Sequence, residues 1–583
     1  MVEHILAHPD GVRDLSGAGC PETLSCNQLC CRVEDFTTRT TAYAFRDARA
    51  GAPSTSCLHS PMVSHSFGSS VINVASCIRN ADDTAASRHV LNIGRMTNKS
   101  ISSIAGPSVP QTRRTEPDAG SDELRDFSLS SVFGVAFAFI SPIIALYAIF
   151  DIALGIAGPS FWWAFLVVLA GQLLVALVFG ELSSRWPEEG GVYAWSKRLV
   201  GESYGWLTGW VYIWTLITLN AAAAFAASTF AAAAFGLDDP GTGVRLTFAV
   251  GFMVIATLVN SLDRRLLKVF IALSIACEVI GSLVVGTVLL TFHRHNSLSV
   301  LWSGFDDGAM AFTIGPFLAA VAIVGWAFIG FESAGDLAAE VKNPGRNVPL
   351  AQIASLVLVA ATVMYAGLAL ILAVPDLEAV AAGSIDDSVV ETLSSNLGSS
   401  VVVPMSVVVS VGFAAGIAAV STALSRSVHA MAVQRSLPGS AVLTRLSIRD
   451  RLPRNALILT SVATCSLLIL AVGFNFYDVM IAMSTGGFYI AFFLPVVAML
   501  FTRVRGLWTP GAFTLGKLGG LIVNAIATLW LLLQIINISW PRDVGADWYV
   551  EWGCLLMYVL TGVLGATVFL RYRRTSQRIS THA

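Results

Sequence analysis

Charged residues are scarce in this chain of 583 residues, because Asp, Glu, Lys and Arg together make up only 13% of it. A soluble domain usually carries roughly 25% charged residues. Hydrophobic residues account for 55% of the chain, and its mean hydropathy is +0.69. This composition excludes an ordinary water-soluble domain and indicates that most of the chain lies in a membrane.

The motifs of enzymes and of metal sites are also missing from the sequence. It contains no HExxH, no GxSxG, no phosphate-cradling glycine loop and no paired Cys/His set in its apolar part. The cysteines of "CPETLSCNQLCC" lack the paired spacing of a zinc site. The basic residues do not form one concentrated stripe, which argues against nucleic-acid binding. We therefore expect no enzyme activity, no metal and no cofactor.

Long apolar runs dominate the chain from about Ser130 onward. Each of about twelve such runs is long enough to cross a bilayer core of about 30 Å. A channel would need a continuous polar pore, whereas the polar residues here cluster at one level of the runs. The predicted spans start near Leu129, Phe161, Gly205, Leu246, Leu267, Met310, Leu350, Val401, Ala456, Val479, Leu518 and Trp552.

The distribution of lysine and arginine predicts the orientation in the membrane. Under the positive-inside rule, the loops on the cytoplasmic side carry most of the Lys and Arg. If the first span runs from the cytoplasm to the outside, the inside loops hold about twenty basic residues. The outside loops then hold only Arg245, Arg294 and Arg542. We therefore expect an integral protein of the plasma membrane with both termini in the cytoplasm.

Composition separates a polar N-terminal segment from the apolar remainder of the chain. Residues 1–127 are rich in Ser, Thr, Asp and Arg and have no signal-peptide pattern, which predicts a disordered cytoplasmic tail. A competing hypothesis for this segment is that translation starts at Met96. The first ten predicted spans lie in residues 128–505 and the last two, helices 11 and 12, in residues 506–575, which leaves residues 576–583 as a short cytoplasmic tail.

Two of the predicted helices are interrupted. In the first span, Pro142 has no N–H, so the carbonyl of Ala138 loses its helical donor, and Ser141 is pushed away from helical geometry. The sixth span breaks at Gly330 in "GWAFIGFES". A single kink usually only shapes packing, because glycine and proline are common in membrane helices. Two breaks five spans apart, in matching positions of two five-helix blocks, predict an inverted-repeat transporter with its substrate at the midplane.

Three motifs resemble the amino acid–polyamine–organocation superfamily of permeases. They are "GELSSRWPEEGGVYAWSKRLVG" from Gly180, "GFESAGDLAAEVKNPGRNVP" from Gly330 and "STALSRSVHAMAVQRSLP" from Ser421. The resemblance covers about Asp126 to Arg574. It implies an all-α polytopic protein of about twelve transmembrane helices. These would form a 5+5 inverted-repeat core of the leucine-transporter type, with broken helices 1 and 6, and two extra C-terminal helices.

The same resemblance implies where a substrate binds. Its amine group would meet free carbonyls of the broken helix 6, and the unwound part of helix 1 would complete the site. The stretch "FISPI" offers fewer free N–H groups than the glycine-rich nest of many amino-acid permeases, because proline has none. It is similar to the amino acid/choline branch, which implies an amino acid, γ-aminobutyrate or a choline-like amine. The implied substrate-binding residues are Phe139, Ile140, Ser141, Pro142, Ile143, Trp326, Ala327, Ile329, Gly330 and Phe331.

Three acidic residues of the spans suggest specific roles. Glu278 lies near the middle of span 5, and intramembrane carboxylates usually line a substrate or proton path. We expect it to exchange a proton during transport, the alternative being a structural hydrogen bond to a neighbouring helix. Glu332 directly follows the break in helix 6, where it either caps free N–H groups or contacts the substrate. Asp336 and the nearby Glu340 are expected to anchor a gate or loop.

Together these features predict a secondary-active permease for an amino acid or amino-acid-like amine. We expect proton-coupled import by alternating access, so the partners are the small-molecule substrate, protons and the lipid bilayer. The alternative is a membrane sensor or an exchanger of the same fold without net coupled uptake. Ser421 and Thr422 could bind sodium or link helices, and hydroxyls in membranes more often do the latter.

Overall fold

The computed structural model describes residues 128–237, 240–262, 264–304, 313–385, 387–447, 452–474, 476–542 and 548–582. The predicted N-terminal tail, residues 1–127, lies outside these ranges. The described residues form helices, turns and loops, and no β-strand occurs among them. The all-α architecture expected from the sequence is therefore confirmed.

Twelve helical segments in the described part of the chain are long and apolar enough to cross a membrane. Their number and order match the prediction. We refer to them as spans 1 to 12, and they are Leu129–Tyr147, Phe150–Arg185, Glu202–Ala234, Thr242–Leu262, Ala272–Phe292, Ile314–Asp336, Pro344–Ala373, Ser400–Val433, Arg454–Gly473, Tyr477–Val504, Lys517–Ser539 and Gly553–Arg571.

Span 1 is interrupted where the sequence predicts it. An α-helix over Leu129–Ile140 ends at Ser141, and a second helix begins at Pro142 and continues to Tyr147. Ser141 has φ 47° and ψ 105°, which is outside the helical region. Proline suits the first position of a helix because its missing N–H would have no helical partner there. The break is therefore a local consequence of Pro142.

Span 6 is interrupted over a longer stretch. Its first helix, Ile314–Val324, tightens into a 3-10 turn over Gly325–Phe328, and a short helix follows at Ser333–Asp336. Ile329 is extended, with φ −107° and ψ 160°, and Gly330 has φ +100°, a conformation that L side chains rarely adopt. The carbonyl of Ile329 thus leaves the helical ladder.

The spans differ strongly in burial. In span 3, 89% of the apolar window is buried, compared with 28% in span 11 and 17% in span 12. Span 3 contains the run "NAAAAFAASTFAAAA", whose small side chains allow neighbouring helices to approach closely. Span 3 therefore lies at the centre of the helix bundle, and the last two spans lie at its edge.

Short helices connect the spans. Gly191–Leu199 follows span 2, while Leu377–Ala381 and Ser388–Leu397 lie between spans 7 and 8. A Cβ atom at Gly191 would lie 2.7 Å from Oδ1 of Asp336, so the loop after span 2 packs directly against the second half of helix 6. Gly191 is the last residue of the motif "WPEEGG", so this motif packs against the broken helix 6.

Candidate substrate site

The two helix breaks are in direct contact. A Cβ atom at Gly330 would lie only 2.3 Å from Cδ1 of Phe139, so the break in span 6 has room only for glycine beside span 1. The indole Nε1 of Trp326 donates a hydrogen bond of 3.2 Å to the carbonyl of Ile144. Residues more than 180 positions apart in the sequence therefore form one site.

Glu278 of span 5 joins the break in span 1 by two hydrogen bonds. One carboxylate oxygen accepts the hydroxyl of Ser141, and the other accepts the main-chain N–H of Ile143 at 2.7 Å. The Ser141 hydroxyl oxygen in turn accepts the N–H of Ile144 at 3.2 Å. Glu278 is 1% exposed. Its carboxylate thus occupies the first free N–H group of the second half of helix 1, a helix end that attracts negative charge.

A π-helical turn follows Glu278 directly, over Val279–Val284. Such turns widen the helix and leave carbonyls free for other donors, and they occur frequently at functional sites. Here Tyr147 donates its hydroxyl to the carbonyl of Gly281 at 2.7 Å. A Cβ atom at Gly281 would lie 3.0 Å from Cδ1 of Ile143. The sequence places Gly281 on the helical face of Glu278 but gives no periodicity signal for this turn, so sequence reasoning missed the contact with Tyr147.

Glu332 lies at the start of the second half of helix 6, and its side chain bonds back into the break rather than to an N–H of the helix Ser333–Asp336. One of its oxygens accepts the N–H of Gly330 at 3.0 Å, and the other accepts the hydroxyl of Tyr212 at 2.9 Å. The Tyr212 hydroxyl oxygen also lies 3.2 Å from Oδ2 of Asp336. A phenol carries one hydrogen, so Tyr212 can donate to only one of the two acids at a time. Tyr212 was missed because only the tertiary fold brings span 3 beside span 6.

The chain also matches a known protein family. Residues 127–564 match the amino acid permease family. The chain belongs to this family.

Several proteins that are similar in sequence to this permease are themselves named as permeases. An uncharacterised amino-acid permease of Schizosaccharomyces pombe is 24% identical over 76% of this chain and 82% of the relative. The amino-acid permease BAT1 of Arabidopsis thaliana is 23% identical over 72% of this chain and 86% of the relative. The GABA-specific permease of Saccharomyces cerevisiae is 26% identical over 72% of this chain and 76% of the relative. The protein is thus an amino-acid transporter of the membrane rather than an enzyme.

Every residue that the sequence predicts for the permease's site is buried in the structure. The structure brings the two breaks and Glu278 together, as expected from their assignment to one site. What each residue does there stays a prediction. The buried residues are Phe139, Ile140, Ser141, Pro142, Ile143, Glu278, Trp326, Ala327, Ile329, Gly330, Phe331 and Glu332.

The hydroxyls of span 8 link helices in the permease. Ser421 accepts a hydrogen bond of 3.1 Å from the side-chain amide of Asn220 in span 3. Thr422 donates to the side-chain oxygen of Asn260 in span 4. Within the described ranges there is no group of three or more His, Cys, Asp or Glu residues placed to hold a metal ion. These contacts favour a role in helix packing over a role in binding sodium.

Glu340 lies beyond the short second helix of span 6 and pairs with Arg426 of span 8. The side chains are 16% and 12% exposed. The ion pair therefore ties the segment after span 6 to span 8, which agrees with the predicted role of Glu340 as an anchor of this loop.

Proposed function

We propose that this permease is a secondary-active importer that couples uptake of an amino acid or amino-acid-like amine to proton entry by alternating access. We further propose that it lies in the plasma membrane with both termini in the cytoplasm, as the positive-inside rule predicts. The observation that carries the proton-coupled mechanism is the pair of hydrogen bonds that Glu278 accepts from the hydroxyl of Ser141 and the N–H of Ile143.

Protonation of Glu278 would weaken this link between spans 1 and 5. A carboxylate accepts hydrogen bonds at both oxygens, and bonds to an ionised acceptor are roughly twice as strong as neutral ones. The protonated acid must also place its hydrogen against Ser141 Oγ or the N–H of Ile143. Proton binding would therefore loosen the second half of helix 1 from span 5, and deprotonation would restore the link.

The geometry also supports the amine-bearing substrate class. Main-chain carbonyls leave the helical ladder at Ile329, while the carboxyl groups of Glu278 and Glu332 lie at the two breaks. Carbonyl oxygens and carboxylates attract a cationic group. A substrate carboxylate would have to replace Glu278 at the N–H of Ile143. Among the relatives, one is named as GABA-specific, which fits an amine at some distance from the carboxylate.

The test is the variant Glu278→Gln, which is nearly isosteric and cannot ionise. Reconstituted in vesicles, it should lose accumulation of labelled substrate driven by a pH gradient. It should keep counterflow, in which labelled and unlabelled substrate exchange without net proton movement. Glu378→Gln is the matched control, because Glu378 is an exposed acid between spans 7 and 8.

Two results would contradict the proposal. Full accumulation driven by a pH gradient in Glu278→Gln would remove the proton role, and loss of counterflow as well would reduce Glu278 to a structural link. Counterflow by the wild-type protein separately distinguishes a carrier from a sensor, because a sensor binds the same substrates without moving them.

A further inference from the structure

A groove runs along the edge of the helix bundle between spans 3, 10 and 12, away from the helix breaks. Its cavity volume is about 470 Å³, which is within the range of ligand-binding clefts. We call it the span 3–10–12 groove. It is lined by Ser203, Trp206, Leu207, Trp210, Val211, Trp214, Thr215, Met483, Gly487, Ile490, Tyr558, Thr561, Gly562, Gly565, Ala566 and Phe569.

One wall of the groove is a rigid aromatic surface. The indole rings of Trp206 and Trp210 stack with centroids 5.3 Å apart and planes 11° apart. Trp206 also contacts the ring of Phe569 at 4.9 Å, and Trp214 meets Trp210 edge-on at 6.0 Å. The opposite side contains glycines, and a Cβ atom at Gly562 would meet nothing within 4 Å. The groove is thus a preformed space that the side chains do not fill.

The donor groups of the groove are largely occupied by the protein itself. The indoles of Trp206 and Trp210 and the hydroxyls of Thr215, Tyr558 and Thr561 each donate to a main-chain carbonyl. These groups are not available to fix the ammonium or carboxylate of an amino acid. Because a charged ligand without such partners is costly to desolvate, the groove selects against the transported substrate and for hydrocarbon.

The position and shape of the groove indicate that its hydrocarbon ligand comes from the lipid bilayer. Every lining residue lies within a membrane-spanning segment, and the groove opens at Leu207, which is 44% exposed, and at the exposed Gly562. Along span 3 the lining extends from Ser203 to Thr215, about 18 Å at 1.5 Å per residue. An elongated space that follows span 3 and opens to the bilayer matches the direction of an acyl chain.

We propose that the span 3–10–12 groove is a binding site for one acyl chain of a membrane phospholipid. The chain enters sideways from the bilayer and lies against the tryptophan wall. It fills the space between the central span 3 and the peripheral span 12. Spans 3 and 12 touch directly through the Trp210 indole and the Thr561 carbonyl at 3.0 Å, and Gly565 packs against the same indole, so the lipid supplies apolar contacts where Gly562 leaves open space.

The test uses the full-length protein in vesicles that contain phosphatidylcholine with a photoactivatable diazirine near the end of one acyl chain. After irradiation and proteolysis, mass spectrometry measures adducts on each span. We expect adducts to concentrate on the groove residues of spans 3 and 12 rather than on span 11, which is also exposed. The variant Gly562→Leu places a side chain in the groove and should reduce these adducts by about tenfold. This reduction corresponds to a loss of about 1.4 kcal/mol of binding free energy.

Gly519→Leu is the matched control, because Gly519 is an exposed helical glycine of span 11 at which a Cβ atom also meets nothing within 4 Å. It should leave the groove adducts unchanged, and leucine favours helix over glycine in both variants. Adducts spread in proportion to exposure, or unchanged in Gly562→Leu, would overturn the proposal. Labelling of the groove by a photoactivatable sterol but not by the phospholipid would also overturn it.

Discussion

At the scale of single residues, the helix breaks depend on positions whose backbone conformations are unusual. Ser141 has φ 47°, which is uncommon for a residue with a Cβ atom, yet its side chain accepts the N–H of Ile144 and donates to Glu278. Gly330 has φ +100° and no space for a side chain. The serine hydroxyl thus offsets its own strained conformation, whereas Gly330 tolerates no substitution.

Gly330→Ala should abolish transport while leaving the protein folded. A Cβ atom there would approach Phe139 to 2.3 Å, so the two breaks must separate. Substrate uptake in vesicles should fall by about a hundredfold, which corresponds to about 2.7 kcal/mol of binding or barrier free energy. Gly315→Ala in the same span is the control, because a Cβ atom there meets nothing within 4 Å. Normal uptake by Gly330→Ala would contradict the close contact of the breaks.

Pro142 and Gly330 could be identified from the sequence because their effects are local. Proline removes a hydrogen-bond donor from its own helix. The break at Gly330 is marked by the acidic residue Glu332, two positions later in an apolar span. Tyr212 could not be identified, since it contacts Glu332 across 120 positions of the chain. The partners of Glu278 were unpredictable for the same reason, and only its placement near the middle of span 5 suggested a special role.

At the scale of elements, a buried ion pair joins spans 2 and 10. Arg503 of span 10 pairs with Glu181 of span 2, and the two side chains are 5% and 0% exposed. Glu181 also accepts the N–H of Leu515 at 3.0 Å, and Ser184 accepts the N–H of Phe513 at 2.7 Å. The loop after span 10 is therefore held against the end of span 2, within the motif that begins at Gly180.

Arg503→Met should destabilise the protein by about 3–5 kcal/mol, because it leaves Glu181 buried without its partner. Thermal unfolding of the purified protein should show a clear fall in Tm. The double variant Glu181→Met/Arg503→Met should recover much of this loss, since the unpaired charge is then absent. Arg505→Met, at an exposed neighbour, should change little. Equal Tm values for Arg503→Met and Arg505→Met would show that the ion pair does not hold these spans together.

The existence and order of the spans could be predicted from hydropathy, because a bilayer requires long apolar helices with satisfied backbones. The π-helical turn at Val279–Val284 could not be, since its residues suit an ordinary α-helix equally well. That turn depends on tertiary contacts, including the bond from Tyr147 to Gly281. Sequence therefore specifies which helices form, whereas packing determines where a helix departs from regular geometry.

At the scale of the whole molecule, contacts on both sides of the helix breaks connect separate elements. On one side, Asp151 accepts the N–H of Ser388 at 2.7 Å, which joins the start of span 2 to the short helix Ser388–Leu397. On the other side, the loop after span 2 packs against Asp336, and Glu340 pairs with Arg426. Under the proposed alternating access, one of these two sets of contacts must open at each half of the cycle.

Asp387 lies next to the first of these contact sets, and we expect it to make the stability of this region depend on pH. It caps the helix Ser388–Leu397 by accepting the N–H of Val390 at 2.8 Å, and it lies outside the spans. Burial raises the pKa of Asp387 above its ordinary value of 3.8, although its hydrogen bonds to Val390 and Val389 and the charge of Arg245 act in the opposite direction. The native state therefore binds this proton more tightly than the unfolded state does.

The sign of the resulting pH dependence follows from linkage. Where the native state binds more protons than the unfolded state, the free energy of unfolding falls as pH rises. The contribution of Asp387 to stability is therefore complete below pH 3.8. It declines as pH rises above 3.8 and is lost once the pH exceeds the raised pKa of the native state. Asp387→Asn stays neutral and should remove this decline. Tm measured from pH 4 to pH 8 should thus fall more steeply in the wild type than in Asp387→Asn, whereas Glu378→Gln, at an exposed acid of the same loop, should follow the wild type. Parallel curves of Tm against pH for the wild type and Asp387→Asn would mean that Asp387 is not buried in solution. The helix Ser388–Leu397 could then not act as a pH-sensitive contact over the helix breaks.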